Sequence, residues 1–198
     1  MSVELGVEPS TFALSELFGV LDVPGPDLLL RAYGEQALSV LKEKLLDVPE
    51  GRALVLSFAG VRIMTPSFAD ATIVALLRGL REGRYGERYL LLAEPNEETL
   101  VGLAGTFERR LHRSLKLAIV LRCGSTYRVF GPVEQNLQAA WQLVAERGTL
   151  TARELADELG LEINTASMRL LKLHGLGLLA RREEVSAAGR QHIYTLPT

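Results

Sequence analysis

Between residues 27 and 130, short apolar runs alternate with stretches whose apolar residues recur every three or four positions, the pattern of a sheet covered by helices. Residues 27–31 read as a first short strand. Residues 35–47 read as a helix, with Leu38, Leu41, Leu45 and Val48 at helical spacing and Pro49-Glu50-Gly51 ending it. Residues 53–58 are an almost unbroken apolar run of strand length. A strand covered on both faces has no polar face to alternate with, so this run is the expected central strand. Thr65-Pro66-Ser67 opens a helix over 68–80. Strands over 88–93 and 116–122 are separated by a helix over 96–112, and residues 126–130 extend the edge of the sheet.

The flanks follow different patterns. Ser10 stands where a helix cap would, before an imperfect helical stripe of Phe12, Leu14, Leu17, Phe18 and Leu21, which Val23-Pro24-Gly25-Pro26 stops. Residues 1–26 are therefore expected as an N-terminal arm. Gly131-Pro132 separates the alternating pattern from a helical one and marks the expected boundary between residues 27–132 and 133–198. Leu137, Ala140, Trp141 and Val144 give a first helix one apolar face, and Gly148 ends it. A second helix over 152–159, a turn at Gly160 and a third helix beginning within 161–164 make a helix-turn-helix pattern. In the third helix Ile163, Ala166, Leu170 and Leu173 form the core-facing row, which leaves Thr165, Ser167, Met168, Arg169 and Lys172 nearer the exposed side. Residues 178–182 and 192–196 read as two strands of a hairpin, with 186–190 as its turn.

The run LTARELADELGLEINTASMRLLKLHGLGLL resembles the winged helix-turn-helix domains of bacterial transcription regulators, and the resemblance covers about residues 133–197. It implies duplex DNA binding, with the third helix in the major groove and the hairpin following the phosphate backbone. On that basis the expected DNA-binding residues are Asn164, Thr165, Ser167, Arg169, Lys172, Arg181 and Arg182, with Thr165 and Ser167 as hydrogen-bonding groups and Lys172, Arg181 and Arg182 on phosphates. The structural alternative is a domain of the same shape used to bind protein, with Met168 and Leu171 packed against the partner.

Residues 31–77 resemble the small STAS-like α/β domains of bacterial regulatory proteins, through the run LVLSFAGVRIMTPSFADA. The resemblance implies a switch in which a hydroxyl at the strand-to-helix turn is phosphorylated, or in which that turn docks a partner. Thr65 or Ser67 is the expected acceptor and Asp70 its neighbour. Helix capping accounts for the same residues, since Ser67 and Asp70 make an S-x-x-D pattern and Thr65 precedes Pro66. The expected fold class is α/β: a small STAS-like mixed sheet with helices, followed by a winged helix-turn-helix domain.

Charge and composition change this picture in few places. The 198-residue chain has a net charge of −2, so whole-chain basicity does not announce nucleic acid. The balance is local. Residues 163–198 carry five Lys or Arg against two Glu, a net of +3, whereas residues 133–162 carry a net of −4. A single cysteine, Cys123, rules out an intramolecular disulfide and reads as a small core residue in a cytoplasmic protein. The first residues lack the basic start of a secretory signal, and no apolar run approaches the roughly 20 residues of a membrane span. The three histidines lack metal-ligand spacing, and no P-loop, dinucleotide fingerprint, nucleophile elbow or H-E-x-x-H occurs, so no enzyme, metal or cofactor is expected. Arg109, Arg110, His112, Arg113 and Lys116 read as a solvated cationic helix end. Arg78, Arg81, Arg84 and Arg88 read as a charged loop or, alternatively, an anion-binding patch.

The expected function is a DNA-binding transcriptional regulator, acting as a homodimer, whose STAS-like half receives a signal from a regulatory protein or a small molecule. Trp141 and the apolar first helix either provide the dimer contact or are buried within their own domain. Two other readings remain open: an adaptor in which both halves bind proteins, and a nucleotide or metabolite sensor with its ligand at the carboxyl ends of the strands.

Overall fold

The computed structural model describes residues 10–23, 25–111, 116–186 and 189–198. Residues 1–9 of the expected arm, His112 at the expected helix end, Arg113 of the cationic cluster and Ala187-Ala188 in the expected hairpin turn lie outside the described residues.

The fold is mixed α/β. A five-stranded sheet has the order β1 (Ser10–Ala13), β3 (Ala53–Ser57), β5 (Tyr89–Ala93), β6 (Ile119–Cys123), β7 (Thr126–Phe130). The first four strands are parallel and β7 returns antiparallel from β6. Two residues each of β2 (Asp27–Leu28) and β4 (Ile63–Met64) pair apart from it. The connecting helices are α1 (Glu16–Val20), α2 (Arg31–Asp47), α3 (Pro66–Ala69), α4 (Ala75–Arg81) and α5 (Glu97–Leu111). A π-helical turn over Asp70–Val74 joins α3 to α4.

The unbroken apolar runs are explained by two buried layers. Leu54, Leu56, Leu90, Leu92, Ile119 and Leu121 join a core with Leu41 and Leu45 of α2, Phe68 and Ile73 beyond the α3 turn, and Leu103 and Phe107 of α5. The alternate residues Val55, Tyr89, Leu91 and Val120 join a second core with Leu137, Trp141, Leu155, Leu170 and Leu173 from the C-terminal part of the chain. The backbone carries the same contact, because the Ala53 N–H donates to the Thr198 carbonyl oxygen at 3.0 Å. The C-terminal part thus covers the second face of β3, β5 and β6.

That part consists of α6 (Gln135–Arg147), β8 (Thr149–Thr151), α7 (Ala152–Leu159), α8 (Ile163–Gly175), β9 (Ala180–Ser186) and β10 (Gly189–Thr195), with a three-stranded antiparallel sheet in the order β8-β10-β9. Thr151 and Glu154 close a capping box at the start of α7. Gly160 then takes the left-handed conformation (φ 60°) that turns the chain into α8.

Several expectations are corrected. Ser10–Ala13 is a strand, not a helix start, because Ser10 to Ala13 pair in register with Leu54 to Ser57, and that pairing overrides a short imperfect stripe. Phe12, Leu14 and Leu17 are buried, so this stretch is part of the core layer. The expected strand over 27–31 shrinks to two residues, and α2 begins at Arg31. The middle strand is β5; β3 lies beside it. Cys123 is exposed, since burial ends before the last residues of β6. Ile163 is 49% exposed, because the first turn of α8 projects past the core that holds Ala166, Leu170 and Leu173. Trp141 is buried and donates its indole N–H to the Leu178 carbonyl oxygen (3.1 Å), so of its two alternatives burial within the domain holds.

Candidate functional site

Helix α8 is held from one side. Ala166, Leu170 and Leu173 are fully buried, while Asn164, Thr165 and Lys172 are exposed and Ser167 and Arg169 are half-buried. Asn164, Thr165, Arg169 and Lys172 line one shallow cavity of about 320 Å³ together with Met168 and with Asn136 of α6. The Arg169 Nε is buried there without a hydrogen-bond partner among the described residues. Ser167 lies outside this cavity. Asn136 carries no periodic or motif signal, and only the fold brings it beside α8.

Charge around this face is mixed. Lys116 Nζ is 3.0 Å from Glu134 Oε1, and the hydrogen bond from Lys116, with the nearby charges of Lys116 and Lys172, holds the Glu134 carboxyl below its ordinary range. On the hairpin Arg182 is exposed, whereas Arg181 is half-buried where β9 meets the large sheet. Burial, and then Glu87, push the Tyr89 phenol well up, and a backbone hydrogen bond from Arg181 opposes that shift. Arg190 pairs with Glu183 at 3.5 Å and Gln191 donates to Glu184 at 3.0 Å. Four of the seven expected residues therefore meet at one place, Arg182 stands apart on the hairpin, and Arg181 faces inward.

The α3 turn separates the roles of Thr65 and Ser67. Thr65 caps the helix, accepting from the Phe68 N–H at 3.3 Å and donating to the Leu29 carbonyl oxygen at 2.5 Å. Pro66 takes the first helical position. Ser67 is exposed one residue further on, and the S-x-x-D cap is not formed because Asp70 turns to two arginines. Arg110 donates to Asp70 Oδ1 through Nε at 2.7 Å and also through Nη2, and Arg31 donates to Oδ2 at 3.2 Å. Burial works to raise the Asp70 pKa, but the hydrogen bonds from Arg110 and Arg31 outweigh it and hold the carboxyl below its usual value. Ser67, Asp70, Arg31, Arg109 and Arg110 line one open cavity of about 460 Å³. Arg31 and Arg110 are 39 and 40 residues from Asp70 in the chain, a pairing no local pattern announces.

Other sequence features are absorbed by the fold. Arg88 donates to the Val48 and Tyr85 carbonyl oxygens at 2.6 Å each, Arg84 pairs with Glu82, and Arg81 donates to the Lys116 carbonyl oxygen, so these arginines tie loops together. At the carboxyl ends of β3 and β5, the Ser57 hydroxyl donates to Glu94 at 2.6 Å and accepts from the Ala59 N–H at 3.1 Å, which closes that position on itself. Among the described residues no group of three or more His, Cys, Asp or Glu is placed to hold a metal ion, and no helix is long and apolar enough to cross a membrane. The chain matches no family model and no curated protein.

Proposed function

We propose that the protein is a DNA-binding transcriptional regulator, in which α8 and the β9–β10 hairpin meet duplex DNA and the five-stranded half, read as STAS-like, receives a protein or small-molecule signal. The observation that carries the reading is the two-sidedness of α8. One row is locked into the core, and the row bearing Asn164, Thr165 and Lys172 is exposed among the described residues. The order helix, Gly turn, helix, hairpin agrees with the winged helix-turn-helix resemblance. Lys172, Arg169 and Arg182 serve phosphates, and Asn164 and Thr165 serve base edges or the backbone at the helix start. A single small domain makes few phosphate contacts, so we infer a cytoplasmic homodimer reading paired half-sites. Fluorescence anisotropy with random-sequence duplex DNA at low salt tests the reading, and no change in anisotropy on adding protein removes it.

The regulatory part of the proposal narrows to Ser67. Thr65 already uses its hydroxyl as donor and acceptor, while Ser67 is exposed beside three arginines. A phosphate there adds about −1.5 to −2 charges that Arg31, Arg109 and Arg110 can meet. Intact-mass measurement of the protein from its native cells checks this, and persistent absence of phosphate across growth conditions removes it.

A second reading, the protein-binding adaptor, is favoured by one observation. Ile163, Met168 (54% exposed) and Leu171 (41%) leave apolar surface on the same helix. Binding of duplex DNA that is unaffected by Met168→Ser and Leu171→Ser separates the two readings in favour of the first.

A further inference from the structure

A cavity of about 520 Å³ lies between the edge strand β7 and helix α6, within the range of roughly 300–1,000 Å³ typical of small-molecule sites. Its apolar wall is Tyr127 and Val129 of β7 with Trp141 of α6, and its polar rim is Gln138, Gln142 and Glu146 on successive turns of α6, with Ser125, Thr126 and Arg128 on the strand side.

The rim offers both acceptors and donors. Gln138 Nε2 donates to the Val133 carbonyl oxygen at 3.2 Å, and Gln142 Nε2 donates to Glu146 Oε1 at 2.9 Å. Each amide nitrogen thus spends one of its two N–H groups within the protein and keeps the other, while the two amide oxygens and the second Glu146 oxygen have no protein donor among the described residues. The Trp141 N–H is also taken, by Leu178, so the indole offers the cavity a ring and no donor. Glu146 makes no ion pair among the described residues. Aromatic walls suit a flat ring, and a rim of amide donors and acceptors ending in a carboxylate suits a ring edge that carries an amino donor beside ring-nitrogen acceptors.

We propose that this cavity binds a planar heteroaromatic ring bearing an exocyclic amino group, the ring lying against Tyr127 and Trp141 and the amino group donating to Glu146. The site is independent of the DNA reading, since it uses no residue of α8. It joins the large sheet to the first helix of the C-terminal part, so occupancy bears on how the two halves are held.

Trp141 is the chain's sole tryptophan and lines this cavity, so its emission responds to occupancy there without interference from a second indole. The full-length protein is titrated with adenosine and cytidine, which carry the amino group, and with inosine and uridine, which carry an oxygen in its place. Adenosine or cytidine is expected to shift Trp141 emission saturably, and its oxo counterpart, in which a carbonyl oxygen replaces the amino group and the adjacent ring nitrogen becomes a donor, to bind about tenfold more weakly, the loss set by placing that oxygen against the Glu146 carboxylate. Glu146→Gln, an exposed change that leaves packing intact, is expected to weaken the amino ligand by about fivefold or more. Tyr127→Ala is expected to weaken both members of a pair. Absence of any saturable shift, equal response to amino and oxo ligands, or unchanged affinity in Glu146→Gln each overturns the proposal.

Discussion

Cutting the chain after Gly131 tests how the two halves depend on each other. The cut removes Leu137, Trp141, Leu155, Leu170 and Leu173, which share a core with Val55, Tyr89, Leu91 and Val120 on the second face of the large sheet. Fully burying a Val or Leu side chain is worth about 1.5–3 kcal/mol, so the three aliphatic residues alone represent about 5–9 kcal/mol, with Tyr89 and the Ala53–Thr198 hydrogen bond in addition. Net stabilities of domains are about 5–15 kcal/mol, so the loss is of the same size as the whole. Residues 1–131 made alone are expected to aggregate, or to lose the cooperative urea transition of the full chain. Size-exclusion chromatography and urea unfolding followed by circular dichroism measure both. A monomeric fragment unfolding cooperatively at the urea midpoint of the full chain would refute the claim that the sheet needs its second layer.

Three further outcomes follow from individual contacts. Trp141→Phe leaves the Leu178 carbonyl without its donor and is expected to lower stability by about 1–3 kcal/mol in denaturant unfolding. Gly102→Ala puts a Cβ 2.1 Å from the Met64 carbonyl oxygen, where α5 crosses β4, and is expected to cost about 1–3 kcal/mol by the same measurement. Asp70→Asn weakens a cluster whose side chains are 16% (Asp70) and 20% (Arg110) exposed, between the surface and buried cases, and a loss of about 1–3 kcal/mol at neutral pH is expected. Because the Asp70 pKa is lowered by folding, its contribution is complete above the ordinary carboxylate pKa and fades as pH falls through the lowered value. The difference between wild type and Asp70→Asn therefore closes in acid, and a gap that persists there contradicts the assignment.

What the residue pattern revealed and what it hid have separate physical causes. Elements set by local periodicity were legible: α2, α5, α6, α7 and the buried row Ala166, Leu170, Leu173 of α8 follow directly from apolar spacing. The unbroken run of β3 also announced a strand covered on both faces. What covered the second face was hidden, because nothing local says that Val55 and Leu91 meet Trp141 and Leu170. Ser10–Ala13 was misread for the same reason, since its partner β3 lies 44 residues away in register. At the α3 turn the cap could be read from Thr65-Pro66, yet Asp70 was assigned to capping because its arginines come from α2 and α5. The exposed face of α8 was readable by subtraction from its core row, whereas the inward turn of Arg181 depends on Tyr89 from the other half of the molecule.

The central claim is that α8 and the hairpin offer duplex DNA a cationic surface, and salt dependence tests it most directly. Each phosphate neutralised contributes about −0.9 to the slope of log affinity against log salt, so the Lys172→Ala, Arg182→Ala double variant should bind more weakly with a slope shallower by about 1.8. A wild-type protein that does not bind duplex DNA at low salt, or a double variant with the wild-type affinity and slope, contradicts the account.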